Sequence, residues 1–179
     1  MEVREMRPDD WPSVSRIYAE GIATGMATFE KEVPPYASWD AAHLPACRLV
    51  ATGRGNILGW AALSPVSGRC VYQGVAELSV YVGAAARGKG VATLLMQTLI
   101  PASEAIGIWT LQSGIFPKNL ASIRLHESSG FRLLGRRERI AKRDGVWHDN
   151  LVFERRSSTV GRDTKEEKIS RNDYKTSTQ

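Results

Sequence analysis

Val80-Tyr81-Val82-Gly83-Ala84-Ala85-Ala86-Arg87-Gly88-Lys89-Gly90-Val91-Ala92-Thr93 passes from a β-branched strand, through a loop of small residues, into an apolar helix. Glycine lets a backbone turn its N–H groups inward. The first N–H groups of a helix have no partner, and they carry the positive end of the helix dipole. Arg87 and Lys89 add charge, so the junction suits an anion. Two common phosphate loops are excluded. Thr93 occupies the third glycine position of G-x-G-x-x-G, and G-x-x-x-x-G-K-[ST] is absent. A strand, a glycine loop and a helix also describe an ordinary connection.

Upstream, residues 76–82 alternate: Ala76, Leu78, Val80 and Val82 share one face of a strand, and Glu77, Ser79 and Tyr81 share the other. Downstream, residues 91–106 read as a helix that Pro101 should kink or interrupt. A strand is expected over 108–116 and a helix over 119–129, capped by Gly130. Strands over 131–141 and 146–153 turn at Arg143-Asp144-Gly145. Toward the N-terminus, residues 2–6 form a short strand. Asp9 or Asp10 then caps a helix with Pro12 in its first turn. Trp11, Val14, Ile17, Tyr18 and Ile22 give that helix an apolar face. Residues 23–47 read as a loop with a short helix over 38–44. Strands over 48–52 and 57–63 follow, joined by Gly53-Arg54-Gly55-Asn56. Hairpins mixed with a β-α-β crossover imply an α/β or α+β fold around one mixed sheet.

The 179 residues suit a single domain. Hydrophobic residues are 42% and charged residues 24%, which excludes wholesale disorder. Two cysteines, Cys47 and Cys70, exclude a disulfide framework and a four-cysteine zinc site, and the three histidines form no metalloprotease motif. The chain has no signal-peptide pattern and no apolar run near the roughly 18 residues that span a bilayer. A cytoplasmic location is therefore expected.

The net charge is +5, and residues 155–179 hold seven Lys or Arg against four Asp or Glu. That segment is polar, rich in Ser, Thr, Lys and Asp, and is expected to be a disordered tail behind a domain of residues 1–154. The rival reading makes it a nucleic-acid or membrane-surface arm.

Arg87-x-x-Gly90-x-Ala92 after a Val-Tyr-Val strand resembles the pyrophosphate loop of the GNAT acetyltransferases, which use acetyl-CoA. Asn119-Leu-Ala-Ser122-Ile-Arg-Leu125-His126-Glu127-Ser-Ser-Gly130-Phe131 resembles the second signature of the same family, in the expected order. The stretches Ala27-Thr28-Phe29-Glu30, Ala76-Glu77, Leu125-His126-Glu127 and Trp147-His148-Asp149 narrow the likeness. They resemble the phosphinothricin N-acetyltransferase group, which also acts on methionine sulfoximine, methionine sulfone and arsinothricin. Ser67 stands where the herbicide-detoxifying members carry Lys.

The resemblance implies a twisted, mixed, mostly antiparallel sheet flanked by helices, acetyl-CoA as co-substrate with no metal, a small amino-acid-like acceptor, and a homodimer. It places the pyrophosphate on the backbone of Arg87, Gly88, Lys89, Gly90, Val91, Ala92 and Thr93. The pantetheine would lie along Val80, Tyr81 and Val82, near Asn119 and Ser122, in the manner of an added strand.

Amine acetylation needs a base for the ammonium, a donor for the oxyanion and a proton for the departing thiolate. Glu77 is the expected base. His126 stands where the wider family carries Tyr, and is expected either to protonate the thiolate or to help deprotonate the amine. A backbone N–H near Val80–Val82 would serve the oxyanion. Arg69 and Tyr72 are expected to hold an anionic acceptor and Phe29 to wall its pocket. Trp147-His148-Asp149 could close that pocket. Two further functions fit less of this pattern: acetylation of a protein or peptide amine, and a non-catalytic CoA-sensing or nucleic-acid-binding module.

Overall fold

The computed structural model describes residues 1–162. Its elements, in chain order, are β1 (Glu2–Glu5), α1 (Trp11–Ala23), α2 (Tyr36–Ala42), β2 (Leu49–Gly53), β3 (Asn56–Pro65), β4 (Val75–Val82), α3 (Val91–Ala105), β5 (Thr110–Ile115), α4 (Leu120–Ser128), β6 (Arg132–Arg143) and β7 (Val146–Arg156). Three short 3-10 turns lie between them. Seven strands make one sheet in the order β1-β2-β3-β4-β5-β7-β6. Only β4 and β5 pair in parallel, and every other neighbour is antiparallel. This is the mixed, mostly antiparallel sheet expected from the sequence.

Alternation along the strands sorts side chains onto two faces. One face packs Leu49, Ala61, Leu63, Leu78 and Phe153 against Val91, Leu95, Met96 and Leu99 of α3. Ile123 and Leu125 of α4 lie on the same side. The other packs Val50, Trp60 and Ala62 against Val14, Ile17, Tyr18 and Ile22 of α1 and Trp39 of α2. Each large side chain buried in these layers stabilises the fold by about 1.5–3 kcal/mol.

Two expectations change. Pro101 lies inside α3, which continues to Ala105 without a break. Pro101 and Gln97, whose carbonyl loses its helical donor, are both exposed, so solvent can reach the freed carbonyl. Asp10 does not cap α1. It turns back to accept the Arg7 N–H at 2.7 Å and two bonds from the Arg4 guanidinium at 2.7 and 2.8 Å. The pairing with Arg4 is the main cause that lowers its pKa.

The expected end of the domain at residue 154 also moves. Strand β7 runs on to Arg156, and the Ser157 N–H then bonds the Trp109 carbonyl at 2.8 Å. Arg156 reaches the carbonyls of Trp109 and Val160 at 2.8 and 2.7 Å, which folds the following residues back over Trp109. The rest of the expected tail, residues 163–179, lies outside the described residues.

Candidate active site

Strands β4 and β5 form a fork. They pair only from Val75–Thr110 to Glu77–Gln112 and then separate. Past the fork, β4 keeps its partner β3 and β5 keeps β7. Gly83 N–H bonds the Leu58 carbonyl of β3 at 2.9 Å. Backbone groups alternate sides along a strand, so those of Val80 and Val82 point into the gap instead. An extended ligand can take the place of the missing strand there.

The gap opens into a cleft of about 820 Å³. At one end it meets the start of α3. Gly90 caps that helix with φ +78°, in the left-handed region that glycine tolerates. The first helical bond runs from Leu94 N–H to the Gly90 carbonyl. The N–H groups of Val91, Ala92 and Thr93 therefore stay free. A Cβ on Gly88 or Gly90 would meet open space, so room exists for an anion against this backbone.

Most of the residues expected from the sequence meet here. Glu77, Val80, Tyr81, Val82, Arg87, Gly88, Gly90, Val91, Ala92, Thr93, Asn119, Ser122 and His126 all line the cleft, as does Phe29. Lys89 does not. Its ammonium bonds the Ala85 carbonyl at 2.8 Å, outside the lining. Asn119 lines the cleft with both ends of its amide engaged. Its oxygen accepts the Ser122 N–H at 3.1 Å, capping α4, and its nitrogen donates to the Met26 carbonyl at 3.2 Å.

Arg69 and Tyr72 are not brought to the cleft. None of residues 65–73 is buried, and none of them lines the cleft. The Arg69 guanidinium sits 5.9 Å from the Tyr72 ring, facing its own loop.

Glu77 stands at the crotch of the fork, exposed, on the face that carries Tyr81 and α1. His126 comes from α4 on the other face, is only 1% exposed, and packs edge-on against Phe131 at 4.9 Å. Its Nδ1 lies 2.8 Å from the Ser122 carbonyl oxygen. A carbonyl only accepts, so Nδ1 holds the hydrogen and Nε2 carries the lone pair. Nε2 is buried without a partner among the described residues. Burial lowers the pKa of His126, and the bond to Ser122 offsets this only in part. The ring is therefore neutral near pH 7, with the Nε2 lone pair open to a proton that burial makes it hold weakly and pass on readily.

Residues 24–29 form a second wall. Phe29 packs on Phe116, with centroids 4.5 Å apart, and both rings meet His148 edge-on. Three distant groups hold this wall: Asn119 on Met26, Tyr81 Oη at 3.5 Å from the Ala27 carbonyl, and Arg143 at 2.9 Å from the Thr28 carbonyl. Burial pushes the Tyr81 hydroxyl far above its ordinary pKa, so it stays a donor. Of the Trp147-His148-Asp149 string, only His148 touches this wall. Trp147 is 55% exposed, and Asp149 accepts from Arg136 and from the Arg139 N–H.

Sequence reasoning missed Ser113, Gly114, Phe116, Arg124 and Asn150, all of which line the cleft. Gly114 and Asn150 carry no motif. They meet because β7 inserts itself between β5 and β6. Among the described residues, no cluster of three or more His, Cys, Asp or Glu side chains could hold a metal ion, and no helix is long and apolar enough to cross a membrane.

The sequence pattern of the Acetyltransferase (GNAT) family matches residues 3–131. The chain is 36% identical to phosphinothricin N-acetyltransferase of Alcaligenes faecalis, over 86% of this chain and 81% of the relative. It is 31% identical to the L-methionine sulfoximine/L-methionine sulfone acetyltransferase of Pseudomonas aeruginosa, over 84% of this chain and 91% of the relative. Among solved structures it resembles a GNAT superfamily phosphinothricin acetyltransferase of Sinorhizobium meliloti in complex with acetyl-CoA. The TM-score is 0.77 at 27% identity, covering 91% of this chain and 96% of that one.

Proposed function

The chain belongs to the GNAT acetyltransferase family, and on that premise we propose that it acetylates the α-amino group of a small amino acid or toxic amino-acid analogue. The donor is acetyl-CoA, and the acceptors are of the phosphinothricin, methionine sulfoximine, methionine sulfone or arsinothricin type. The biological outcome is resistance to such a compound. The observation that carries this reading is the β4–β5 fork, which runs from Glu77 into the free N–H groups of α3.

The pyrophosphate lies on the backbone between Arg87 and Thr93, and the pantetheine arm bonds Val80 and Val82 in the gap. Glu77 removes a proton from the ammonium. The freed lone pair attacks the thioester carbon, so a C–N bond forms and the oxyanion takes a backbone N–H of the gap. The C–S bond then breaks. His126 Nε2 receives the remaining surplus proton from nitrogen and passes it to the departing thiolate, which leaves as the free thiol. No covalent enzyme intermediate is formed. The neutral ring and its unpartnered Nε2 support this assignment of His126.

The active form is a homodimer. Leu133, Leu134, Ile140, Val146 and Trp147 expose large apolar surfaces on the last hairpin, which suits a second copy of the chain. The location is cytoplasmic, where acetyl-CoA is produced.

Release of thiol from acetyl-CoA is measured against methionine sulfoximine, methionine sulfone, phosphinothricin, arsinothricin, plain amino acids, polyamines and a peptide amine. Turnover on an amino-acid analogue is expected. Transfer only to the peptide amine would overturn the acceptor class. Acetyl-CoA binding with no turnover on any amine would favour a sensing module.

A further inference from the structure

Asn150 is a buried polar side chain that the reaction above does not use. It lies on β7, is 8% exposed, and lines the cleft. Its side-chain oxygen is buried without a hydrogen-bond partner among the described residues. Such atoms are rare, because burying a polar group unpaired is costly.

The space for this amide is made by Gly114. A Cβ there would sit 3.0 Å from both the oxygen and the nitrogen of Asn150. The register places the pair relative to the base. Glu77 is level with Gln112, Gly114 follows two residues later on the same face, and Gly114 is opposite Val152. Asn150, two residues from Val152, shares that face. Glu77, Gly114 and Asn150 thus lie on the side of the sheet opposite His126 and α4.

An orphaned acceptor calls for a donor. On an amino-acid-like substrate the carboxylate, sulfone and phosphinate oxygens only accept, whereas the amino group donates. We propose that Asn150 binds the acceptor's amino group, its side-chain oxygen receiving one N–H while Glu77 removes another proton. The terminal torsion of asparagine is soft, so the oxygen turns toward a donor in the cleft without backbone movement. The role rests on the amino-acid acetyltransferase reading.

The test uses the full chain with L-methionine sulfone as the probe acceptor and thiol release as the readout. Asn150→Leu should lower kcat/KM for the acceptor by about tenfold or more, with KM for acetyl-CoA unchanged. Asn150→Asp keeps an oxygen and should retain more activity than Asn150→Leu. Gly114→Ala displaces the amide and should lower kcat/KM in the same direction, by a smaller factor. Melting temperatures are read alongside, since a purely structural role would lower them and leave the kinetics of the folded fraction unchanged. Asn150→Leu within twofold of the parent overturns the proposal. So does Asn150→Asp falling below Asn150→Leu, which would mean that the amide donates to a substrate carboxylate. Absence of turnover by the parent chain on every amine of the panel fails the functional reading, and this role with it.

Discussion

Arg143 Nη1 donates to the carbonyl oxygen of Thr28 across 2.9 Å, joining the last hairpin turn to the loop that walls the cleft. Its Nη2 lies 3.4 Å from the Ile22 carbonyl at the end of α1. The adjacent Asp144 pairs with Lys31 at 2.8 Å. The hairpin turn therefore sets the position of the residue 28–29 wall from outside the cleft lining. Arg143→Ala is expected to raise KM for the acceptor about tenfold, the effect of one charge-assisted bond, and to leave KM for acetyl-CoA unchanged. Steady-state kinetics with each substrate varied in turn checks the split.

Glu77→Gln removes a base and keeps the shape. Loss of a general base costs about 10²–10⁴-fold in rate, and the loss is expected in kcat for the amine. Acetyl-CoA affinity, measured by calorimetry, should stay within twofold, because Glu77 lies at the crotch of the fork and the free helix N–H groups lie at its other end.

Gly90→Val tests the anion site. The φ of +78° penalises any side chain, by about 1–2 kcal/mol, and the new methyl groups would stand in the open space before Val91. Acetyl-CoA affinity is expected to fall at least tenfold while the apo protein stays folded, as read by calorimetry and circular dichroism.

His126 gives stability an acid dependence. Burial holds its folded pKa below the ordinary value, so the unfolded chain binds a proton that the folded chain refuses. Stability is full above the unfolded pKa of about 6.5 and is lost as pH falls toward the folded pKa. His43, lowered mainly by burial, acts in the same direction. The melting temperature should drop from pH 8 to pH 5. His126→Phe should flatten that drop and reduce acetyl transfer. An unchanged slope would remove the buried imidazole from the account.

What the sequence reveals is local. The Val80–Thr93 junction is legible because strand, glycine loop and helix start are contiguous, and the physics of free N–H groups needs nothing distant. Glu77 and His126 follow from their place beside two motifs. Asn150, Gly114 and Arg143 are invisible to that reasoning, because their roles depend on β7 lying next to β5 and on a hairpin reaching back across the chain to Thr28. Arg69 and Tyr72 show the converse. Residue type alone suggests anion binding, but the exposed loop that carries them does not line the cleft. Pro101 lies inside α3, a placement that residue type alone does not reveal.

The two faces of the sheet divide the reaction unevenly. Helices α3 and α4 carry the free Val91–Thr93 N–H groups and His126 on one side, and Glu77, Gly114 and Asn150 lie on the other, while Tyr81 and Asn119 link the two by bonding the Ala27 and Met26 carbonyls. Substitutions at Gly114 and Asn150 reshape the acceptor side away from the start of α3. Such an architecture is modular in the evolutionary sense: lineages can diversify in the amine they recognise while inheriting one unchanged way of using acetyl-CoA. Laboratory libraries confined to the acceptor side should keep folding and donor binding in most members.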